Sequence, residues 1–136
     1  MHSKRWYTPV LNLKIFVKAN ILLKDVFENI LDNAVHYNNN PSVEILVNIS
    51  KTQKEGQAYI KLEFIDNGIG ISNAKKETIF KKGDNGHKSG KGMGLGLSLV
   101  KKAIETYNGK IWIEDRVKGD FTKGCNFVLL IPEGVP

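Results

Sequence analysis

The decisive stretch is Tyr59-Ile60-Lys61-Leu62-Glu63-Phe64-Ile65-Asp66-Asn67-Gly68-Ile69-Gly70-Ile71. Ile60, Leu62 and Phe64 alternate with Tyr59, Lys61 and Glu63, the two-residue period of a half-buried strand. The same alternation carries Asp66 to the core-facing side, where an unpaired carboxylate is costly. Asp66-Asn67-Gly68 taken alone has the composition of an ordinary turn. The run continues as Gly68-Ile69-Gly70-Ile71, however, and this keeps the backbone bare beside an inward carboxylate. One reason for such bareness is the close approach of a flat ligand. A carboxylate so placed accepts a hydrogen bond from an exocyclic amine such as adenine's.

Working outward, Val43, Ile45, Val47 and Ile49 alternate in the same way, and the polar turn Lys51 to Gly56 makes the two runs a hairpin. From about Asn20 to Tyr37 the apolar pairs Leu22/Leu23, Val26/Phe27, Ile30/Leu31 and Ala34/Val35 predict a long helix, stopped by Asn38, Asn39, Asn40 and Pro41. Residues 10 to 18 alternate once more and predict a further strand. Downstream, Asp66 to Gly94 loses periodicity and gains seven glycines and many lysines, with one short apolar piece around Glu77 to Phe80. A loop of that length is functional or disordered. Gly94 to Tyr107 predicts a second long helix, with Asn108-Gly109 as its left-handed stop. Strands at Lys110 to Asp115 and Cys125 to Ile131 follow, separated by a polar loop.

With 136 residues the chain accommodates one domain with a single core. Its 41% apolar and 25% charged content is that of a soluble domain, and no apolar run approaches the roughly 20 residues that span a bilayer. Neither a signal-peptide pattern nor membrane contact by this domain is expected. Cys125 is the only cysteine, which excludes an internal disulfide and points to a reducing, cytoplasmic setting. The net charge of +6 does not by itself imply nucleic acid, because aromatic side chains are not interleaved with the lysines. Instead Lys75, Lys76, Lys81, Lys82, Lys88 and Lys91 crowd the glycine-rich segment, which suits a polyphosphate.

Asn29, Asn33 and His36 fall on one narrow strip of the first long helix, at the border of its apolar stripe. Amides at that border reach a buried polar ligand, although a single asparagine there is as readily a locally bonded side chain. Gly90, Gly92, Gly94 and Gly96 lead into the second long helix, whose bare amides make a prepared anion site. No stretch matches the P-loop or dinucleotide spacing. Asp66 to Glu77 has the length of a calcium loop, but Gly68, Gly70 and Ile71 stand where ligands and the turn glycine are needed.

Together and in this order these motifs resemble the catalytic domain of sensor histidine kinases. That family lies within the wider superfamily that also holds DNA gyrase, heat-shock chaperone ATPases and mismatch-repair ATPases. Glu28 to Tyr37 is similar to the family's asparagine box and Asp66 to Ile71 to its first glycine box. Ile79-Phe80 is similar to its phenylalanine box and Gly92 to Leu97 to its second glycine box. The resemblance covers roughly Val10 to Pro132. It implies an α+β fold, a two-layer sandwich of the Bergerat type with a mixed sheet of about five strands packed on about three helices. It also implies residues 1–8 as a flexible segment or expression remnant, residues 9–132 as the domain with a lid at about 81–93, and residues 133–136 as a tail.

The resemblance further implies ATP or ADP with Mg2+ as ligands. Asn33 would ligate the magnesium and Asn29 would help hold it or the phosphates. Tyr37 would pack near the adenine, whose amino group Asp66 would meet, with Gly68, Ile69, Gly70 and Ile71 around it. Lys91, Gly92, Met93, Gly94, Leu95, Gly96 and Leu97 would line the phosphate end, and Phe80 would anchor the lid. His36 stands where the family usually has lysine or arginine, and is a weaker cation near neutral pH.

ATP hydrolysis in this superfamily uses a glutamate one helical turn before the magnesium asparagine, and that position here is Asn29. Glu28 is rotated by about 100° toward solvent. Transfer of the γ-phosphate to a protein side chain is therefore expected. The acceptor would be a histidine on a dimerisation domain of the same full-length kinase, with a response regulator downstream. None of His2, His36 and His87 lies in a helical context suited to that acceptor. A serine kinase of the anti-sigma-factor type and a nucleotide-binding module without turnover are the alternatives.

Overall fold

A computed structural model describes residues 3–7, 16–20, 22–81 and 93–134. In chain order the elements are β1 (Ser3–Tyr7), α1 (Leu22–His36), β2 (Ser42–Lys54), β3 (Gln57–Asp66), α2 (Lys75–Thr78), α3 (Met93–Thr106), β4 (Lys110–Val117) and β5 (Asp120–Pro132). One sheet takes the order β1-β2-β3-β5-β4. Strand β1 runs parallel to β2, and the remaining neighbours are antiparallel. The architecture is the α+β sandwich that the resemblance implies, with a mixed sheet and the helices α1 and α3 laid on it.

Alternation decides which face of the sheet is covered. Ile60, Leu62 and Phe64 of β3 share the core with Phe127, Leu129 and Ile131 of β5 and with Val26, Ile30, Leu97, Val100 and Ile104 of the two long helices. Each helix gives the sheet one stripe at helical spacing and is held there by that burial. The helices run antiparallel to each other. Asn20 accepts the amide of Leu22 at 2.9 Å, capping α1, and also accepts the Tyr107 hydroxyl at 2.7 Å just beyond the end of α3. Farther along, Asn29 of α1 meets Gly96 of α3. The start of α3 therefore lies beside the C-terminal half of α1, where Asn33 is. Asn108 ends α3 in the left-handed region (φ 61°), as its sequence predicts.

Several boundaries differ from the sequence reading. Ser3–Tyr7, within the segment expected to be flexible, is β1. Of the strand expected at residues 10 to 18, residues 10–15 lie outside the described residues. Val17 forms a bridge with Glu133, and the amide of Lys18 donates to the carbonyl of Pro132 at 2.9 Å. The expected tail is thus partly paired. Strand β2 extends to Lys54 and turns through Glu55 (φ 53°) and Gly56 (φ 78°), so most of the polar stretch read as a turn is strand. The polar loop expected before Cys125 is likewise the outer half of a β4–β5 hairpin, with a register shift between Asp115 and Val117. Most of its residues are exposed, so no apolar alternation marks them as strand. No helix among the described residues is long and apolar enough to cross a membrane.

Candidate functional site

Asp66 closes β3 on the core-facing side and is 3% exposed. Its Oδ1 accepts the amide of Gly68 at 2.8 Å and that of Cys125 at 3.4 Å, and its Oδ2 lies 3.2 Å from the Cys125 thiol, which donates to it. Burial raises the pKa of this carboxyl, while those hydrogen bonds and the Arg116 charge pull the other way. Burial also pushes the Cys125 thiol up, and the neighbouring Asp66 charge adds to the shift. Cys125 is a site residue that the sequence reading missed. Its partner is distant in the chain and comes alongside only through the pairing of Ile65 with Asn126.

The loop after Asp66 is fastened to the end of α1. Asn67 Oδ1 accepts Asn38 Nδ2 at 2.7 Å and the Glu44 amide at 3.0 Å, its Nδ2 donates to the Ser42 carbonyl at 3.1 Å, and Asn40 Nδ2 donates to the Asn67 carbonyl. The Ile69 amide donates to the Tyr37 carbonyl at 3.1 Å. Asn38 and Asn40, read only as helix stops, thus hold the carboxylate strand and the asparagine helix in a fixed relation. Both box glycines are needed for this fit. A Cβ on Gly68 would lie 2.6 Å from the Tyr37 carbonyl oxygen, and one on Gly70 would lie 1.6 Å from that of Phe121.

These segments enclose a cavity of about 310 Å³ whose lining includes Asn33, Tyr37, Asp66, Ile69, Gly70, Ile71 and Cys125. The size suits a small organic ligand, and the wall is mostly apolar with a few convergent polar groups. A larger cavity, about 420 Å³, lies at the far end of β3 and holds none of the predicted site residues. Six of the predicted site residues therefore meet at one place.

The other predicted site residues stand elsewhere. The Asn29 amide donates to the Asp25 carbonyl at 2.8 Å, and its Oδ1 faces Gly96, so this side chain lies in the α1–α3 contact. His36 is exposed and sets its ring edge-on to Tyr37, with centroids 4.8 Å apart. Phe80 is buried against Phe127, and Leu97 is buried in the same core. Gly68 supplies its amide to Asp66. Met93, Gly94 and Leu95 form the first turn of α3. Lys91 and Gly92, with most of the expected lid, lie outside the described residues.

Two charged groups bear on the chemistry. Glu28 is exposed and paired with Lys24 at 3.3 Å along the outer side of α1, away from the cavity. Lys76, counted among the lysines suited to a polyphosphate, is instead paired with Asp115 at 2.7 Å. That is a correction: its position in α2 turns it back toward β4.

The residues present fit a purine nucleotide. A buried acceptor opens beside apolar walls, while the faces of Gly68 and Gly70 that would carry a side chain are taken up by the Tyr37 and Phe121 carbonyls. For a metal, Asn33 offers a neutral oxygen, and among the described residues no group of three His, Cys, Asp or Glu side chains converges. Magnesium would then be held largely by phosphate oxygens, as is usual for that ion.

A helix-borne asparagine and a buried strand-end carboxylate thus line one cavity, with Gly70 in its wall. The chain belongs to the family described as histidine kinase-, DNA gyrase B- and HSP90-like ATPases, whose profile matches residues 19–135. It is 36% identical over 118 residues to an adaptive-response sensory kinase, SasA, of Synechocystis, covering 82% of this chain and 27% of that protein. To the sensor protein RprX of Bacteroides fragilis it is 32% identical over 114 residues, covering 81% of this chain and 21% of that one. Among solved structures, the nucleotide-free catalytic domain of histidine kinase ThkA superposes with a TM-score of 0.71 at 26% identity, over 97% of this chain and 80% of that one. A mycobacterial sensor histidine kinase, MprB, shares the fold at TM-score 0.74 and 17% identity, over 97% of this chain and 82% of that one. The chain thus spans about a quarter of the length of these two curated relatives.

Proposed function

We propose that this chain binds ATP with magnesium as the catalytic domain of a sensor histidine kinase and donates the γ-phosphate to a histidine on a separate dimerisation domain of the same kinase. The observation that carries the reading is the Asp66 carboxylate, buried at the end of β3 and lining the same cavity as Asn33. Asp66 accepts a hydrogen bond from the adenine amino group, with Tyr37, Ile69 and Ile71 as walls. Asn33 offers its side-chain oxygen to the metal, which supplies charge neutralisation between the phosphates when bound. The first turn of α3, at Met93, Gly94 and Leu95, presents backbone amides at the phosphate end.

Transfer is favoured over hydrolysis because Glu28 faces solvent in an ion pair, so it is badly placed to orient water. Positioning and charge then remain as the chain's contribution. A cytoplasmic setting and a downstream response regulator go with this reading.

The test supplies a histidine-bearing helical-hairpin domain and labelled ATP. Acid-labile phosphohistidine on that domain supports the proposal. Acid-stable phosphoserine, or no transfer by a protein that binds the nucleotide, overturns it.

A further inference from the structure

Lys76 belongs to α2, yet its ammonium is turned away from solvent and gathered by three oxygens. It lies 2.7 Å from Asp115 Oδ1 of β4, 2.9 Å from the Ile71 carbonyl oxygen and 2.6 Å from Asn73 Oδ1. Both charged side chains are 15% exposed. Two of these oxygens, those of Ile71 and Asn73, accept hydrogen bonds from it, and Asp115 meets it as the charged partner of an ion pair without forming a hydrogen bond. The Phe121 ring of β5 covers it, with the centroid 5.8 Å away.

Two of the three oxygens belong to the loop that forms one wall of the cavity, and the third belongs to the β4–β5 hairpin. The loop touches the same hairpin a second time at Gly70, whose Cα packs against the Phe121 carbonyl. The wall is therefore set by a steric contact at one end and an ion pair at the other. Between them lie Ile71 and Ser72, which face the cavity.

We propose that Lys76 is a positioning residue for the nucleotide: through Asp115 it clamps the Gly70–Lys75 wall to the β4–β5 hairpin in the shape that receives the base. It does so without meeting the phosphates. The proposal rests on the nucleotide-binding reading above. A partly buried ion pair returns little net stability, because desolvation offsets its attraction. Its effect is then in loop geometry, and binding is where that effect is read.

The experiment compares the parent with Lys76→Gln, Asp115→Asn and the double replacement Lys76→Met/Asp115→Leu. It measures ADP affinity with magnesium by calorimetry, amide exchange of the Ile71–Asn73 segment, and melting. Each single variant is expected to bind about tenfold more weakly, the scale of one lost charge-assisted contact. The double is expected to lose no more than either single variant, and its loop exchanges faster while β3 and β5 do not change. The double also melts near the parent, since no charge is left unpaired, whereas a purely structural role would restore affinity along with stability.

Parental affinity in Lys76→Gln, additive losses in the double, or unchanged loop exchange overturns the clamp. Should Lys76→Gln fail to fold, Asp115→Asn keeps the bonds of Lys76 to the loop and carries the comparison. A parent that binds no nucleotide removes the functional reading instead, and the exchange measurement then decides the clamp alone.

Discussion

Asp66 sets burial against charge. Its carboxyl pKa is raised because desolvation outweighs the donors at Gly68 and Cys125. A raised carboxyl pKa means that this group's contribution to stability is fully present below its unfolded value and is lost as pH rises through its folded value. In the proposed role the ionised form is the stronger acceptor for an adenine amino group, so ligand binding favours the opposite state. Nucleotide affinity is therefore expected to fall as pH is lowered from neutral through the raised pKa, while Asp66's own share of stability rises. Asp66→Asn is expected to weaken ADP binding about 10- to 100-fold and to flatten that pH dependence, as calorimetric titrations across the range would show. Equal affinity in mutant and parent at every pH would remove Asp66 from the site. Cys125 gives a second handle at this scale. Its thiol is buried and its pKa raised, so alkylation is expected to be slow and slower still with ADP, because the side chain lines the cavity. Alkylation at the same rate with and without saturating ADP would contradict that placement. Asp66 was legible in the sequence because strand period alone fixes the side it faces, whereas Cys125 was not, because its role depends on the register between β3 and β5.

At the scale of elements, the glycines between β3 and α2 show how tightly the cavity wall is fitted. Gly70 and Gly56 have the same φ of 78°, but a Cβ on Gly56 meets nothing within 4 Å, whereas one on Gly70 would lie 1.6 Å from the Phe121 carbonyl oxygen. The two substitutions share the strain of a left-handed backbone and differ in the contact. Gly56→Ala is expected to cost about 1 kcal/mol. Gly70→Ala is expected to cost about 3 kcal/mol or more and to abolish ADP binding, because backbone on both sides must move. Chemical denaturation of the two variants checks this, and equal destabilisation would refute the close fit. The same scale shows what the sequence conveyed and what it withheld. The long helices and the inner strands were legible because each buries a periodic face, as Val26, Ile30, Ile60 and Leu62 do. The outer half of the β4–β5 hairpin was not, since Val117 and Phe121 both stay well exposed, Phe121 even where its ring meets Lys76, and leave no buried alternation to read. Helical periodicity placed Asn29 and Asn33 on one strip but could not tell that Gly96 would approach so closely that Asn29 lies against α3.

For the whole molecule, the cavity joins parts that are far apart in sequence: Asn33 on α1, Asp66 on β3, Cys125 on β5 and the wall before α2. A ligand that touches all of them binds only the folded chain, so its binding free energy appears as stability of the entire domain. At 100 times its dissociation constant such a ligand adds about 2.7 kcal/mol, which for a domain of this size raises the melting midpoint by about 5 to 10 °C. Magnesium divides that gain into two parts. On the proposed reading the metal-free nucleotide would report the base contacts at Asp66, and the increment on adding magnesium would report the metal arrangement, to which Asn33 would lend its oxygen. Asn33→Ala is therefore expected to keep the melting shift produced by ADP with chelator and to lose most of the further shift that magnesium brings. Asp66→Asn is expected to reduce both. The check is a melting series on the three proteins with ADP alone and with ADP and magnesium. An Asn33→Ala protein that gains as much from magnesium as the parent would remove that side chain from the metal site, while leaving the adenine end of the cavity as assigned.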